Sequence, residues 1–399
     1  MKREPYLIFG SPRIEEDEIA EVVDSLRSGW ISTGPKVARF EEMFRDYIGC
    51  RFARATSSCT AGLHLAMLVA GLKPGDEVIT SPLTFAATAN AILHAGGKPV
   101  FADVDPQTFN IDPERIPEKI TGRTRAILPV HLTGRPCPMD PILEIAERHN
   151  LLVIEDAAHA IEAHYKDRKI GKIGDLAVFS FYVTKNITTG EGGMVTTDRE
   201  DWAQATERCA LHGLSRGAWK RFSDDGFRHY EVVMPGFKYN MMDIQAALGI
   251  HQIAKIEAYH HRREEIWRRY DEAFASAPVD LPPPPEENTI HARHLYVVRL
   301  RPDQLEIDRD GVVEQLHKRG IGTGIHYRSL HLHEYYRETY GYRPEDFPHA
   351  LDYSERALSL PLSAKLSDQD VNDVVEIFLE VLEKYRRSRQ CGRSLNHDS

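Results

Sequence analysis

The feature that most constrains this chain is a series of short apolar runs alternating with helical stretches between about residues 76 and 198. The runs are Glu77–Thr80, Pro99–Val104, Arg125–Val130, Leu151–Ile154, Ala177–Phe181 and Met194–Thr197. They are rich in Val, Ile and Phe and lack a polar alternate. That pattern predicts strands covered on both faces, as in a parallel sheet. Ala86–Ala95 and Asp140–His149 read as helices between them. The alternation predicts a doubly wound α/β core.

A long helical stretch follows, from about Asp243 to Ala275, and Pro282 to Pro285 then breaks the chain. Beyond the break, His294–Leu300 reads as a strand, and Arg309–Arg319 and Ser367–Arg386 read as helices. These make a smaller α+β unit. The expected division is a large α/β domain over 1–255, a small C-terminal α+β domain over 256–386, and a polar, disordered tail over 387–399.

The formal net charge is -10 and the pI about 6.0. An acidic balance argues against nucleic acid or an anionic membrane as partner, since both want a basic face. No apolar run approaches the roughly 18 residues that span a bilayer. The opening MKREPYLIFGSPR has no apolar signal core. The five cysteines are scattered, with no CxxC pair, so neither a disulfide framework nor a zinc site is expected. His331 and His333 are spaced like a metal pair, but no carboxylate or cysteine set accompanies them, and no metal is expected. These features together predict a cytoplasmic protein.

Two strand ends carry the chemistry. Leu152-Val153-Ile154-Glu155-Asp156 runs from apolar residues into two acids, and ligands of open α/β sheets bind at the carboxyl ends of strands. Adjacent strand residues point to opposite faces, so only one of the acids need face a site. Read alone, the run is better explained by a solvated acidic strand end. The second run, Ala177 to Phe181, leads to Lys185 and then to Thr188-Thr189-Gly190-Glu191-Gly192-Gly193, where glycines let backbone approach a ligand. A lysine made nucleophilic there can form a Schiff base with an aldehyde. Pyridoxal phosphate is such an aldehyde; its protein set is a lysine, an acid at the pyridine nitrogen and a phosphate cup.

Asp156 suits the nitrogen, because a carboxylate nearby favours the protonated ring. His159, three residues on, could orient it or be structural. Thr56 to Gly62 opens a helix whose free N–H groups suit a phosphate, although an ordinary Ser/Thr cap reads the same way. Ser180 could add a hydroxyl. Phe85, in Thr84-Phe85-Ala86-Ala87-Thr88, could stack on the ring or be core.

Assembled in this order, the motifs resemble the DegT/DnrJ/StrS family of sugar aminotransferases, of pyridoxal-phosphate fold type I. The resemblance covers roughly residues 10 to 385. It rests on Ser28–Pro35, Ser57–Ala66, Pro74–Ile79, Pro82–Asn90, Val130–Gly134, Glu155–Ala160, Ser180–Gly193, Leu211–Arg216 and Gly236–Gly249. It implies a large domain with a mixed, mostly parallel sheet and a small α+β domain. It makes Lys185 the cofactor lysine and catalytic residue and Asp156 the partner of the pyridine nitrogen. Thr60, Ala61 and Ser180 fall on the phosphate cup, and Phe85 on the ring-stacking position. A homodimer with shared active sites is implied, with Asn240, or its rival Lys238, reaching the partner's phosphate.

The Lys185–Gly193 tail and Gly320–Tyr327 are similar to members that aminate C4 of a UDP-linked keto-sugar, with glutamate as donor. Trp30, Thr33, Tyr182, His326 and Tyr327 are the expected substrate contacts. Tyr182 and Glu162 depart from the pattern, where histidine and small residues are usual. The alternatives are a C3 or cyclitol ketone aminotransferase, or a pyridoxal-phosphate-binding regulatory protein without turnover. A 3-dehydratase of the same fold would carry histidine in place of Lys185.

Overall fold

The computed structural model describes residues 2–215 and 231–387. The expected disordered tail lies, from residue 388 onward, outside the described residues. A seven-stranded sheet forms the large body. Its order is Phe52–Thr56, Gly193–Thr197, Leu176–Ser180, Leu152–Asp156, Thr124–Leu128, Glu77–Thr80, Lys98–Phe101. Gly193–Thr197 pairs antiparallel with both neighbours, and the other pairings are parallel. Every residue of Glu77–Thr80 and of Gly193–Thr197 is buried, as strands covered on both faces require.

All six expected strands are present; Glu77–Thr80 has its expected ends and the other five are shifted. The run expected to reach Val104 ends at Phe101, because Val104 turns away to bridge Ile111. The run expected to reach Val130 ends at Leu128, ahead of Pro129, which has no N–H to give a ladder. Phe52–Thr56, which forms an edge strand, was not expected: Phe-Ala-Arg-Ala-Thr carries too few β-branched residues to stand out.

The helical stretch expected from Asp243 to Ala275 is two helices, Asp243–Ala254 and Ile256–Phe274, broken where Lys255 leaves helical geometry at φ -103° and ψ 0°. The halves serve different cores. Ala246, Ile250 and Ile253 pack into the large-sheet core with Phe40 and Phe44, while Trp267, Tyr270 and Phe274 enter the small-domain core. In that second core the helices Arg309–Lys318 and Asp368–Lys384 pack beside the antiparallel sheet Val279–Asp280, Tyr296–Leu300, Ala357–Leu360. Leu7 joins it too, exchanging backbone hydrogen bonds with Gly320 and Gly322 at 2.9 Å each.

The first of these helices has no room to spare. A Cβ on Gly249 would stand 2.7 Å from the fully buried Phe40 ring. Alanine gains up to about 1 kcal/mol of helix propensity, but overpacking a core costs about 1–3 kcal/mol. Gly249→Ala is therefore expected to lower the thermal unfolding midpoint, and a midpoint at or above the native one would show that Phe40 gives way.

Candidate active site

The site lies at the carboxyl ends of Leu152–Asp156 and Leu176–Ser180, which pair with Ile154 opposite Leu176 and Asp156 opposite Val178. Strand pleating sends Glu155 and Asp156 to opposite faces. Both are buried, so the reading of a solvated acidic end fails. Glu155 faces away from the pocket. It accepts from the N–H groups of Ile173 and Gly174 and lies 3.0 Å from Nε2 of His131. Asp156 faces the pocket: Oδ2 accepts from the Thr88 hydroxyl at 2.7 Å and Oδ1 from the Ala158 N–H at 3.2 Å. Burial holds the Asp156 carboxyl above its ordinary range, opposed in part by its hydrogen bonds from Thr88 and Ala158 and by the charge of Lys185.

Lys185 reaches the same cavity, of about 480 Å³, from the loop after Ser180. That volume suits a small cofactor with part of a substrate. Its ammonium has no hydrogen-bond or ion-pair partner among the described residues. Burial lowers its pKa to about 8, against the opposing pull of Cys59 and Asp156. A buried, unpaired amine of this kind titrates within reach of neutral pH and can take or give a proton. It is the only Lys or Arg among the described residues lining the cavity.

The helix Cys59–Val69 opens onto the same space. Ser58 caps it, its hydroxyl accepting from the Ala61 N–H at 3.1 Å. Of the expected cup, Thr60 lines the cavity beside Ser58 and Cys59, while Ala61 gives its amide to the cap and does not line it. The N–H groups of the first turn have no helical acceptor, which is what an anion requires. A Cβ on Gly193 would stand 2.6 Å from the Cys59 nitrogen, so glycine is what lets the neighbouring strand lie against this helix start. Ser180 lines the cavity at the end of its own strand.

Aromatic and imidazole side chains make the remaining wall. Phe85 is 60% exposed, and its ring centroid lies 5.8 Å from that of Tyr327. Tyr182, His326 and Tyr327 also line the cavity. His326 Nδ1 lies 2.8 Å from the Ser359 hydroxyl. The idea that His159 orients Asp156 is corrected: no hydrogen bond joins them among the described residues. The Thr133 N–H donates to His159 Nδ1 at 3.2 Å, and Nε2 lies 3.1 Å from the Tyr327 hydroxyl. An N–H can only donate, so the single proton of a neutral His159 sits on Nε2 and points to Tyr327. Burial and the nearby Lys185 charge hold His159 well below its ordinary range, hence neutral.

Thr88 and His294 line the cavity without having been singled out. Thr88 was visible in the sequence, inside the stretch read for Phe85. His294 comes from the approach to the small domain and is tied to the lysine loop: its Nδ1 lies 2.7 Å from Asn186 Oδ1. Asn186 Nδ2 donates to Glu162 at 2.6 Å and to the Ala292 carbonyl at 3.0 Å, and Glu162 is paired with Arg263. Glu162, which departs from the family pattern, thus anchors the residue next to Lys185.

Trp30 and Thr33 are not brought into this cavity, and neither are Asn240 and Lys238, which were expected at the partner's phosphate. Trp30 is 39% exposed and lines neither it nor the neighbouring cavity of about 210 Å³. Thr33 and Asn240 line that second cavity, where Asn240 Nδ2 donates to the Thr33 hydroxyl at 2.6 Å. Lys238 donates to Asn240 Oδ1 at 2.6 Å. Within one chain these residues bond one another instead of facing Lys185.

Fold and site together define an aminotransferase of the pyridoxal-phosphate type, with a mixed, mostly parallel sheet in its large domain. The chain belongs to the DegT/DnrJ/EryC1/StrS aminotransferase family, which matches residues 12–379. It is 52% identical to an uncharacterized protein of Methanocaldococcus jannaschii, covering 97% of this chain and 100% of that one. It is 48% identical to the spore coat polysaccharide biosynthesis protein SpsC of Bacillus subtilis, covering 96% and 98%. Among solved structures, the putative sugar aminotransferase Spr1654 from Streptococcus pneumoniae aligns with TM-score 0.88 and 34% identity, over 95% of this chain and 98% of that one. No helix among the described residues is long and apolar enough to cross a membrane.

Proposed function

We propose that the protein transfers an amino group from glutamate to the keto carbon of a nucleotide-linked 4-keto-sugar, with UDP the favoured nucleotide, and that it works as a homodimer with shared active sites. The observation that carries this reading is the unpaired, buried Lys185 amine facing the cavity that also holds Asp156. The residues present fit pyridoxal phosphate: a buried lysine without a partner, a carboxylate with lone pairs to spare, and a capped helix start with open N–H groups. The names of the relatives support a sugar, and the resemblance of Lys185–Gly193 and Gly320–Tyr327 to C4 enzymes supports the position.

When bound, pyridoxal phosphate supplies an electron sink for charge that develops at the reacting carbon. Lys185 holds the cofactor before substrate arrives and then moves the proton, taking it from the amino-acid α-carbon and later giving one to the sugar carbon. A pKa of about 8 leaves the amine able to do both near neutrality. Asp156 keeps the ring nitrogen protonated, because an adjacent opposite charge favours the charged form. Ser58, Cys59, Thr60 and Ser180 hold the phosphate, with Asn240 or Lys238 arriving from the partner subunit. Phe85 covers the ring. Tyr182, His326 and Tyr327 orient the sugar, while Trp30 and Thr33 act from across the dimer. Remote binding of the nucleotide contributes orientation at the reacting carbon.

The test is an absorbance spectrum of the purified, pyridoxal-phosphate-loaded protein before and after glutamate. A visible band that collapses with glutamate and returns with a UDP-4-keto-sugar is the expected result. A band indifferent to glutamate would overturn the donor and favour a sensor. Return of the band with a 3-keto-sugar or a keto-cyclitol instead would overturn the substrate assignment.

A further inference from the structure

Among the described residues, Asp156 receives one hydrogen bond on each carboxylate oxygen, and only one of the two comes from a side chain. That donor is Thr88, in the first turn of the helix Ala86–His94. The Thr88 hydroxyl also lies 2.7 Å from that of Thr84. Thr84, Thr88 and Asp156 are all buried.

The direction of this chain follows from counting hydrogens. A hydroxyl has one hydrogen, and an ionised carboxylate only accepts. The Thr88 hydrogen therefore goes to Asp156, and the bond between the threonines is donated by Thr84. The order is Thr84 to Thr88 to Asp156. The other groups whose charge bears on Asp156 are Lys185 and His131 and, through their own titration, Cys59, Cys137 and Tyr327. None of these hydrogen-bonds its carboxylate among the described residues. A hydroxyl-to-carboxylate bond of 2.7 Å in a buried site is charge-assisted and roughly twice as strong as a neutral one. It favours the ionised form.

We propose that Thr88, with Thr84 behind it, is a positioning residue for the reaction, holding the Asp156 carboxylate ionised and its free lone pairs turned to the cavity. The proposal rests on the pyridoxal-phosphate reading of the site. A protonated Asp156 would lose its attraction for a protonated ring nitrogen, so the two threonines act on that nitrogen through Asp156.

The experiment compares Thr88→Val, Thr88→Ser and Thr84→Val with the native protein. The first readout uses cofactor-free protein carrying ¹³C-carboxyl aspartate, with the Asp156 signal assigned through Asp156→Asn. Thr88→Val should titrate Asp156 at higher pH than native, Thr88→Ser at the native pH, and Thr84→Val between them. The second readout is the pyridoxal-phosphate dissociation constant. It should rise about tenfold or more in Thr88→Val, since a bond to a charged group is lost, and stay within about twofold of native in Thr88→Ser. Native titration of Asp156 in Thr88→Val overturns the proposal, as does failure of serine to rescue. If Thr88→Val does not fold, Thr84→Val decides, and an unchanged Asp156 there overturns the relay. A native protein that never binds the cofactor would sink the functional reading, while the cofactor-free titration would still decide the relay.

Discussion

Lys185→Ala is expected to lose aminotransfer by at least about 10²–10⁴-fold, the share that a positioned acid–base group contributes, and to keep its fold. The Lys185 side chain donates to nothing among the described residues, and its backbone N–H bond to the Tyr182 carbonyl survives substitution, so no hydrogen bond is broken by removing the amine. Its charge is a cost to the folded state. Burial lowers its pKa from the ordinary 10.5 to about 8. Between those values the unfolded chain binds more protons, so stability from this group rises with pH across that window; below about 8 the full cost is present. Alanine removes that cost at pH 7 and gives up only the packing of the lysine stem. The unfolding midpoint should therefore stay within a few degrees of native.

Lys185→Arg separates charge from proton transfer. Arginine keeps the cation but does not give up its proton in a protein. If Lys185 moves protons, arginine should be as inactive as alanine. Near-native turnover in either variant, measured as 2-oxoglutarate release from glutamate, would remove Lys185 from its role.

How far the sequence could be read depended on whether a signal was local. The strands after Glu77 announced themselves because a strand covered on both faces is apolar throughout. Phe52–Thr56 did not, because it carries Arg54 and few β-branched residues. Lys185 and Asp156 were legible because each sits at the end of an apolar run, and adjacent parallel strands end on one edge. What failed concerned hydrogen-bond allocation. Ala61 was expected in the phosphate cup, but a cap that uses its amide cannot be told from a cup by residue types alone. His159 was expected beside Asp156, but the Thr133 N–H fixes its tautomer and turns it to Tyr327. His294 carried no signal at all, since it meets Asn186 across 108 positions of chain. Glu162 showed only as a departure from pattern, and its meaning required Arg263 to be placed beside it.

That pair gives the largest expected change in stability. Glu162 and Arg263 are almost wholly buried, and a second bond ties Glu162 to Asn186 at 2.6 Å. A buried ion pair adds little over an apolar pair of the same shape, because desolvation offsets the attraction. Removing one partner is different, since it leaves a buried charge uncompensated at a cost of about 3–5 kcal/mol. Glu162→Gln is thus expected to lower the thermal midpoint by several degrees, with the loss traceable to Arg263. The double variant Glu162→Leu, Arg263→Met leaves no buried charge and should recover most of the midpoint. It should not recover turnover, because Asn186 then keeps the Ala292 carbonyl and His294 but loses the carboxylate that holds its amide beside Lys185. Thermal unfolding and kcat measured on the same three proteins separate the two effects. Should the double variant melt as low as Glu162→Gln, the unpaired arginine is not the cause. Full activity in the double variant would mean that Lys185 is placed without the help of Glu162.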